Sequence, residues 1–284
     1  MELNLFGGTG FIGSHYNWLY GTKTDTIARV PRFSSEPVLL NADYLYLIST
    51  VDNYNVFIDP GLDIETNLVV LAKVLKNWKE KSPGSVFNFI SSWFVYGNTH
   101  QEMAKEYTPC DPKGFYSITK HCAEQLIESY AETFGLKYRI LRLSNIIGTG
   151  APFSAKKNAL QYLIDKIQKN QSIELYDNGQ FFRNFMNVED CCRAIRLVMV
   201  NGELNTIYNI GGENVYFWDA IRYAIKRTQS KSIITNIEPK EFHRKVQAKN
   251  FRMDTKKLES LGFKCKYTFN QTINQIIEGS YYEH

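Results

Sequence analysis

The stretch LNLFGGTGFIGSH, residues 3–15, passes from an apolar strand through three spaced glycines into a helical pattern. Gly7, Gly10 and Gly13 stand at GxxGxxG spacing, a variant of the GxGxxG dinucleotide fingerprint. Glycine permits the tight turn that leaves a strand, lets backbone N–H groups approach a pyrophosphate, and leaves room for a helix against its strand. The helix start that follows offers unpaired donors to phosphate oxygens. Gly7, Thr9, Gly10, Phe11, Ile12 and Gly13 are therefore the candidate cofactor-binding turn.

Outward from this turn, the runs TIARV, YLYLIST, VFNFISS and KYRILRLSN alternate with longer amphipathic segments. That alternation predicts an α/β fold with parallel strands joined by helical crossovers. Residues 63–78 place Ile64, Leu68, Leu71, Ala72 and Leu75 at helical spacing, and residues 116–134 do the same with Ala123, Leu126, Ile127 and Tyr130. After Asn145 the loop IIGTGAPFS and a helix around residues 158–169 mark a change of domain. The unit RNFMNVEDCCRAIRLVM and the strand TIYNIGG are expected to return to the first domain.

The second strand ends IARVPRF, with Arg29 and Arg32 where an acidic residue would hold a ribose 2′-hydroxyl. A guanidinium pairs bidentately with a 2′-phosphate, so NADP(H) is the preferred cofactor. NAD(H) is the alternative, with Asp25 as the acidic contact and both arginines solvated.

The chain of 284 residues, 44% hydrophobic, suits one large domain or two small ones. Thirty-three basic against 29 acidic residues give a net charge of +4, too slight and dispersed for a nucleic-acid surface. No run of about 18 apolar residues predicts a membrane span, and the chain begins on a strand, without the basic start of a signal peptide. A soluble, cytoplasmic protein is expected. Five cysteines without CxxC spacing read as buried, reduced thiols, and the five histidines form no ligand-like pair, so no metal is expected.

The stretch FISSWFVYG, residues 89–97, puts Ser91 and Ser92 at a strand end, followed by the inert side chains Trp93 and Phe94. In GFYSITKHCAEQL, Tyr116 and Lys120 share one helix face at i, i+4. A cation beside a phenol, assisted by an oxidised nicotinamide, lowers its pKa toward the range of an acid/base catalyst.

GGTGFIG, SSxxVYG, YxxxK, RLSNIIG and RNFMNVED follow one another in the order of the extended short-chain dehydrogenase/reductase family, over nearly the full length. The chain resembles the branch of that family acting on nucleotide sugars: epimerases, dehydratases and reductases. The resemblance implies a Rossmann-like, doubly wound parallel sheet with a smaller C-terminal α/β substrate-binding domain. Residues 1–152 plus about 186–212 would bind NADP(H), and about 153–185 plus 213–284 the nucleotide sugar. It implies catalytic roles for Ser92, Tyr116 and Lys120, with Lys120 also holding the nicotinamide ribose. For the substrate it implies Asn145 at the sugar-phosphate region and Arg183 and Arg244 at the diphosphate. Tyr176 matches a position lining the nucleobase pocket and Asn158 a helix-start contact, and a structural role accounts for both equally well. Trp93 and Phe94 would pack against a sugar face or fill the core. A homodimer through the helices of residues 63–78 and 116–134 is also implied.

The chain departs from its family in the short link after the second strand, and in Asn187 and Glu189, where histidine and aspartate are common. The reading is an NADPH-dependent reductase of a nucleotide-linked 4-keto-6-deoxy sugar, in the synthesis of an unusual sugar for surface polysaccharide. An NAD-dependent 4-epimerase is the alternative, needing the same serine, tyrosine and lysine. A non-sugar carbonyl reductase and a non-catalytic NADP(H)-sensing protein are the others.

Overall fold

Alternation along the strands decides what lies on each face of the sheet. The structure is a computed structural model describing residues 1–21, 26–30, 39–99, 102–150, 158–247 and 250–279. Its strands in chain order are β1 (Glu2–Phe6), β2 (Thr26–Val30), β3 (Asp43–Tyr46), β4 (Val86–Ser92), β5 (Lys137–Leu143), β6 (Asn145–Ile147), β7 (Ile173–Tyr176), β8 (Phe182–Asn187), β9 (Thr206–Ile210), β10 (Glu213–Tyr216) and β11 (Ile234–Ile237). The helices are α1 (Phe11–Tyr20), α2 (Leu62–Ile64), α3 (Val70–Lys81), α4 (Phe115–Phe134), α5 (Ala159–Gln168), α6 (Val188–Asn201), α7 (Phe217–Thr228), α8 (Glu241–Val246), α9 (Lys256–Ser260) and α10 (Phe269–Glu278).

Six strands pair in the order β2-β1-β3-β4-β5-β9, all parallel. Leu3, Leu5, Leu45 and Ile90 point to one face, where Tyr16 of α1 and Cys191, Ile195 and Val198 of α6 cover them. Phe6, Tyr44, Tyr46, Phe87 and Phe89 point to the other, under Leu71, Leu75 and Trp78 of α3 and Ala123 and Ile127 of α4. Helices on both faces make the sheet doubly wound, as the strand–helix alternation predicts.

Three features differ from the sequence reading. The helix expected over residues 63–78 contains a π-turn at Glu65–Val69. There Asn67 turns inward, and its amide nitrogen donates to Thr50 and Thr119 hydroxyls, both at 2.9 Å. Strand β8 joins not the six-stranded sheet but a separate one, β10-β8-β6, while α6, which follows it, returns to the main sheet. Within the C-terminal stretch, Leu258 and Phe263 pack into the main sheet's core, so chain after Glu213 serves both bodies of structure.

All five cysteines are free thiols; Cys191 and Cys192 are buried, whereas Cys265 is exposed, against expectation. Among the described residues no helix is long and apolar enough to cross a membrane.

Candidate active site

Strand β1 is followed by Gly7, whose φ of +82° disfavours other residues; an added Cβ would also lie 3.0 Å from the Leu47 carbonyl carbon. At Gly13 an added Cβ would sit 2.3 Å from the Gly7 oxygen, so α1 packs directly on the turn. Helix α1 has Gly10 as N-cap and no side-chain cap, which leaves its first-turn N–H groups to face a ligand. Thr9 and Gly10 are exposed, and Phe11 and Ile12 are half-buried. These residues fit a dinucleotide pyrophosphate. Arg29, exposed near the end of β2, lays its stem against the turn, with its Cγ 3.4 Å from where a Gly8 Cβ would be. Arg32 and Asp25 lie outside the described residues.

Ser92 ends β4, and its Oγ accepts from the Phe94 backbone N–H at 3.3 Å. Tyr116 lies in the first turn of α4, buried, with Ser92 near enough to act on its phenol. Burial pushes the phenol up to about 12; Ser92 pulls it down and the Asp63 charge adds to the rise. Lys120 turns elsewhere than expected. Its Nζ donates to the Ile90 carbonyl at 2.6 Å and sits 4.0 Å from the centre of the Phe89 ring. Burial brings the amine down to about 7, and the charge of Glu124 partly offsets this. The phenol's pKa is thus governed by burial, Ser92 and Asp63, not by Lys120 as the i, i+4 spacing suggested. A buried carbonyl captures the long, flexible side chain first.

Trp93 is 3% exposed, inside a cluster with Val95, Tyr96, Ala104, Phe251 and Met253. Of the two inert residues only Phe94 remains half-open, with its ring edge-on to Tyr116 at 6.0 Å. The Asn145 amide nitrogen donates to the Asn184 carbonyl at 2.9 Å. Asn158 caps α5, accepting from Gln161 N–H and donating to Ile146 O and Gln161 Oε1, so its hydrogen bonds go to structure. Arg183 lies between aromatic faces, 4.4 Å from the Phe181 centroid and 5.6 Å from that of Trp93, and donates to Phe182 O. Burial lowers its guanidinium to about 10, an environment that favours an anion beside it. Arg244 is exposed and ion-paired to Glu238 at 2.6 Å.

Instead α8 turns inward with His243, whose ring centre is 4.4 Å from that of Tyr176 and whose Nδ1 is 2.6 Å from the Tyr54 hydroxyl. The inward set Phe242, His243 and Val246 has helical periodicity, the one sequence signal that could have found it. Asp63, 1% exposed, accepts from Thr50 Oγ1 and Asn55 Nδ2, and its Oδ2 has no hydrogen-bond partner. Glu124 binds Arg142 through both oxygens, at 3.0 and 2.7 Å, behind Lys120. Cys110, His121 and Glu124 bring ligand atoms within 4.8 Å of one another, a grouping invisible in their spacing. With Arg142 holding both carboxylate oxygens, Glu124 has little left to offer a cation.

The family model of the NAD dependent epimerase/dehydratase family matches residues 39–211. The dTDP-glucose 4,6-dehydratase of Xanthomonas campestris pv. campestris is 28% identical over 240 residues, 77% of this chain and 66% of that enzyme. Among solved structures, the UDP-glucose 4-epimerase of Thermotoga maritima, with UDP-glucose, superposes with a TM-score of 0.86 at 20% identity, covering 98% of both chains. RMD of Pseudomonas aeruginosa, complexed with NADPH, gives 0.85 at 22%, also covering 98% of both chains. With the glycine turn, the parallel sheet, Ser92 at the end of β4 and Tyr116 in the first turn of α4, the chain belongs to the NAD dependent epimerase/dehydratase family.

Proposed function

We propose that this chain reduces the keto group of a nucleotide-linked 4-keto-6-deoxy sugar, with NADPH as cofactor. The observation that carries the reading is Phe94, which has no proton to exchange, set edge-on to Tyr116 at 6.0 Å with its backbone N–H donating to Ser92. Gly7, Thr9, Gly10 and Gly13 would hold the pyrophosphate, and bound NADPH would supply a hydride to the carbonyl carbon. Ser92 steadies the carbonyl oxygen, and Tyr116, protonated throughout the working range, gives that oxygen its proton. Arg183 grips the diphosphate, whose binding energy orients the reacting carbon. Arg244 would reach it only by leaving Glu238.

Dehydration and epimerisation at C3 or C5, beside the keto group, need groups that move protons on and off carbon, and Trp93 and Phe94 cannot do so. Turnover in deuterated water with unlabelled NADPH should consume one NADPH per sugar and place no enzyme-dependent deuterium at C3 or C5. Carbon-bound deuterium there would sink the reading. Conversion of UDP-glucose to UDP-galactose without net NADPH oxidation would establish the second reading, a 4-epimerase, which the same Ser92–Tyr116 pair favours.

Arg29 beside Gly8 supports NADPH over NADH. Charged hydrogen bonds to a 2′-phosphate should favour NADPH by about 1–3 kcal/mol in calorimetric titrations; equal affinities would remove Arg29 from the site. On α4, Phe115, Ile118, Leu126 and Phe134 stay exposed, an apolar run that a second copy would cover in a homodimer, measurable by light scattering.

A further inference from the structure

Tyr54 stands between β3 and α2, and His243 on α8, 189 residues further along the chain. The Tyr54 hydroxyl meets His243 Nδ1 at 2.6 Å. Beside this bond Phe242 is edge-on to Phe57 at 4.6 Å and to Tyr54 at 5.2 Å. The two segments lead to opposite ends of the site described above. Asn53, next to Tyr54, accepts a hydrogen bond from the Ser117 N–H in the first turn of α4, one residue from Tyr116. His243 packs on Tyr176 and lies within the field of Arg183. The contact therefore ties the catalytic helix's surroundings to the residues assigned to the nucleotide.

Its chemistry keeps it closed across neutral pH. Burial, then the Arg183 charge, bring the imidazole down to about 4, with Asp177 opposing. Burial, then the fields of Tyr176 and Asp52, push the Tyr54 phenol up to about 12. Both partners are neutral over the range between, so the tyrosine O–H donates to an unprotonated Nδ1 and the ring proton sits on Nε2. The contact is also slight enough to open. It consists of one hydrogen bond and a few ring edges, and Phe57 and Ile58 on its outer side are 67% and 78% exposed. Contacts of that size separate at low free energy without unfolding their neighbours.

We infer that Tyr54 and His243, with Phe57 and Phe242, form a gate beside Tyr176 and Arg183, opened for each binding and release of a nucleoside diphosphate sugar. The inference rests on the substrate reading above. It predicts a kinetic signature that a fixed wall does not have. If the gate is closed in both free and bound protein, loosening it raises association and dissociation together and leaves affinity unchanged.

Stopped-flow binding of UDP and dTDP to the full chain tests this. Tyr54→Phe removes one hydrogen bond, so both rate constants should rise about fivefold, with Kd within twofold of the parent. Phe57→Ala, at an exposed position that carries little of the core, should move both rates in the same direction. A rise in dissociation alone would make the pair an ordinary ligand contact, and unchanged rates would remove the gate; either overturns the inference. The closed state has its own readout by NMR titration of His243. The imidazole should stay neutral to about pH 4 in the parent and titrate higher in Tyr54→Phe, and a parent value near 6.5 would show that the gate is open in solution. A protein that binds neither nucleotide while His243 remains neutral to about pH 4 would instead overturn the substrate reading, and the gating role with it.

Discussion

Tyr116→Phe is expected to lose about 100-fold or more in turnover, the usual cost of removing a positioned proton donor. The phenyl ring fills the same buried site at the start of α4, beside Phe94, so NADPH affinity should stay within a few-fold of the parent. Because burial holds the phenol near 12, the proton is in place at every working pH, and loss of the acid form belongs to the far alkaline limb. Parallel measurement of kcat and of NADPH Kd separates chemistry from binding. Near-normal kcat would mean that another group donates the proton, with Ser92 the first to examine.

Glu124→Gln should destabilise the protein by about 3–5 kcal/mol, because it leaves the Arg142 guanidinium buried without its counter-charge. Both residues are nearly inaccessible to solvent, and the pair is held at two points. Arg142 also donates to Glu106 O and lies 4.7 Å from the centre of the Tyr96 ring, so it cannot swing to water without disturbing that cluster. Burial alone would raise the Glu124 carboxyl; the hydrogen bond from His121 and the bonds and charge of Arg142 together hold it below the usual range. A carboxyl depressed in the folded state contributes stability fully above its unfolded pKa and loses it as pH falls through the folded value. Urea unfolding should therefore show the parent's advantage over Glu124→Gln at neutral pH, shrinking in acid below the carboxylate range. A difference under about 1 kcal/mol at pH 7 would place the pair among exposed ion pairs in effect, despite its burial.

The residues that sequence reading located correctly in space are those whose arrangement is local. The glycine turn is settled by close contacts within residues 5–14 and with Leu47 and Ile48 just after β3, and alternating Leu3, Leu5 and Phe6 already divide the two faces of the sheet. Ser92 at a strand end and Tyr116 in a helix's first turn needed only strand and helix periodicity to be placed. Lys120 shows where that logic stops. Its backbone position is legible from the i, i+4 spacing, but its side chain goes to the Ile90 carbonyl, an acceptor whose position depends on how α4 lies on β4. Arg244 and His243 differ by one residue, yet Arg244 is exposed and ion-paired to Glu238 while His243 packs on Tyr176, and only the packing of α8 says which faces in.

By itself, then, the sequence determined the parallel α/β sheet, the glycine turn after β1 and the places of Ser92 at a strand end and Tyr116 in a helix's first turn, because backbone sterics and side-chain periodicity act over a few residues. Tertiary structure alone decided the pairing of β8 with β6 and β10, the return of Leu258 to the main core, the Glu124–Arg142 lock and the Tyr54–His243 contact. Those contacts join segments 18 to 189 residues apart in the hydrogen-bonded cases. Their energies depend on burial and on the path of intervening loops, and neither is written in the spacing of the residues that meet.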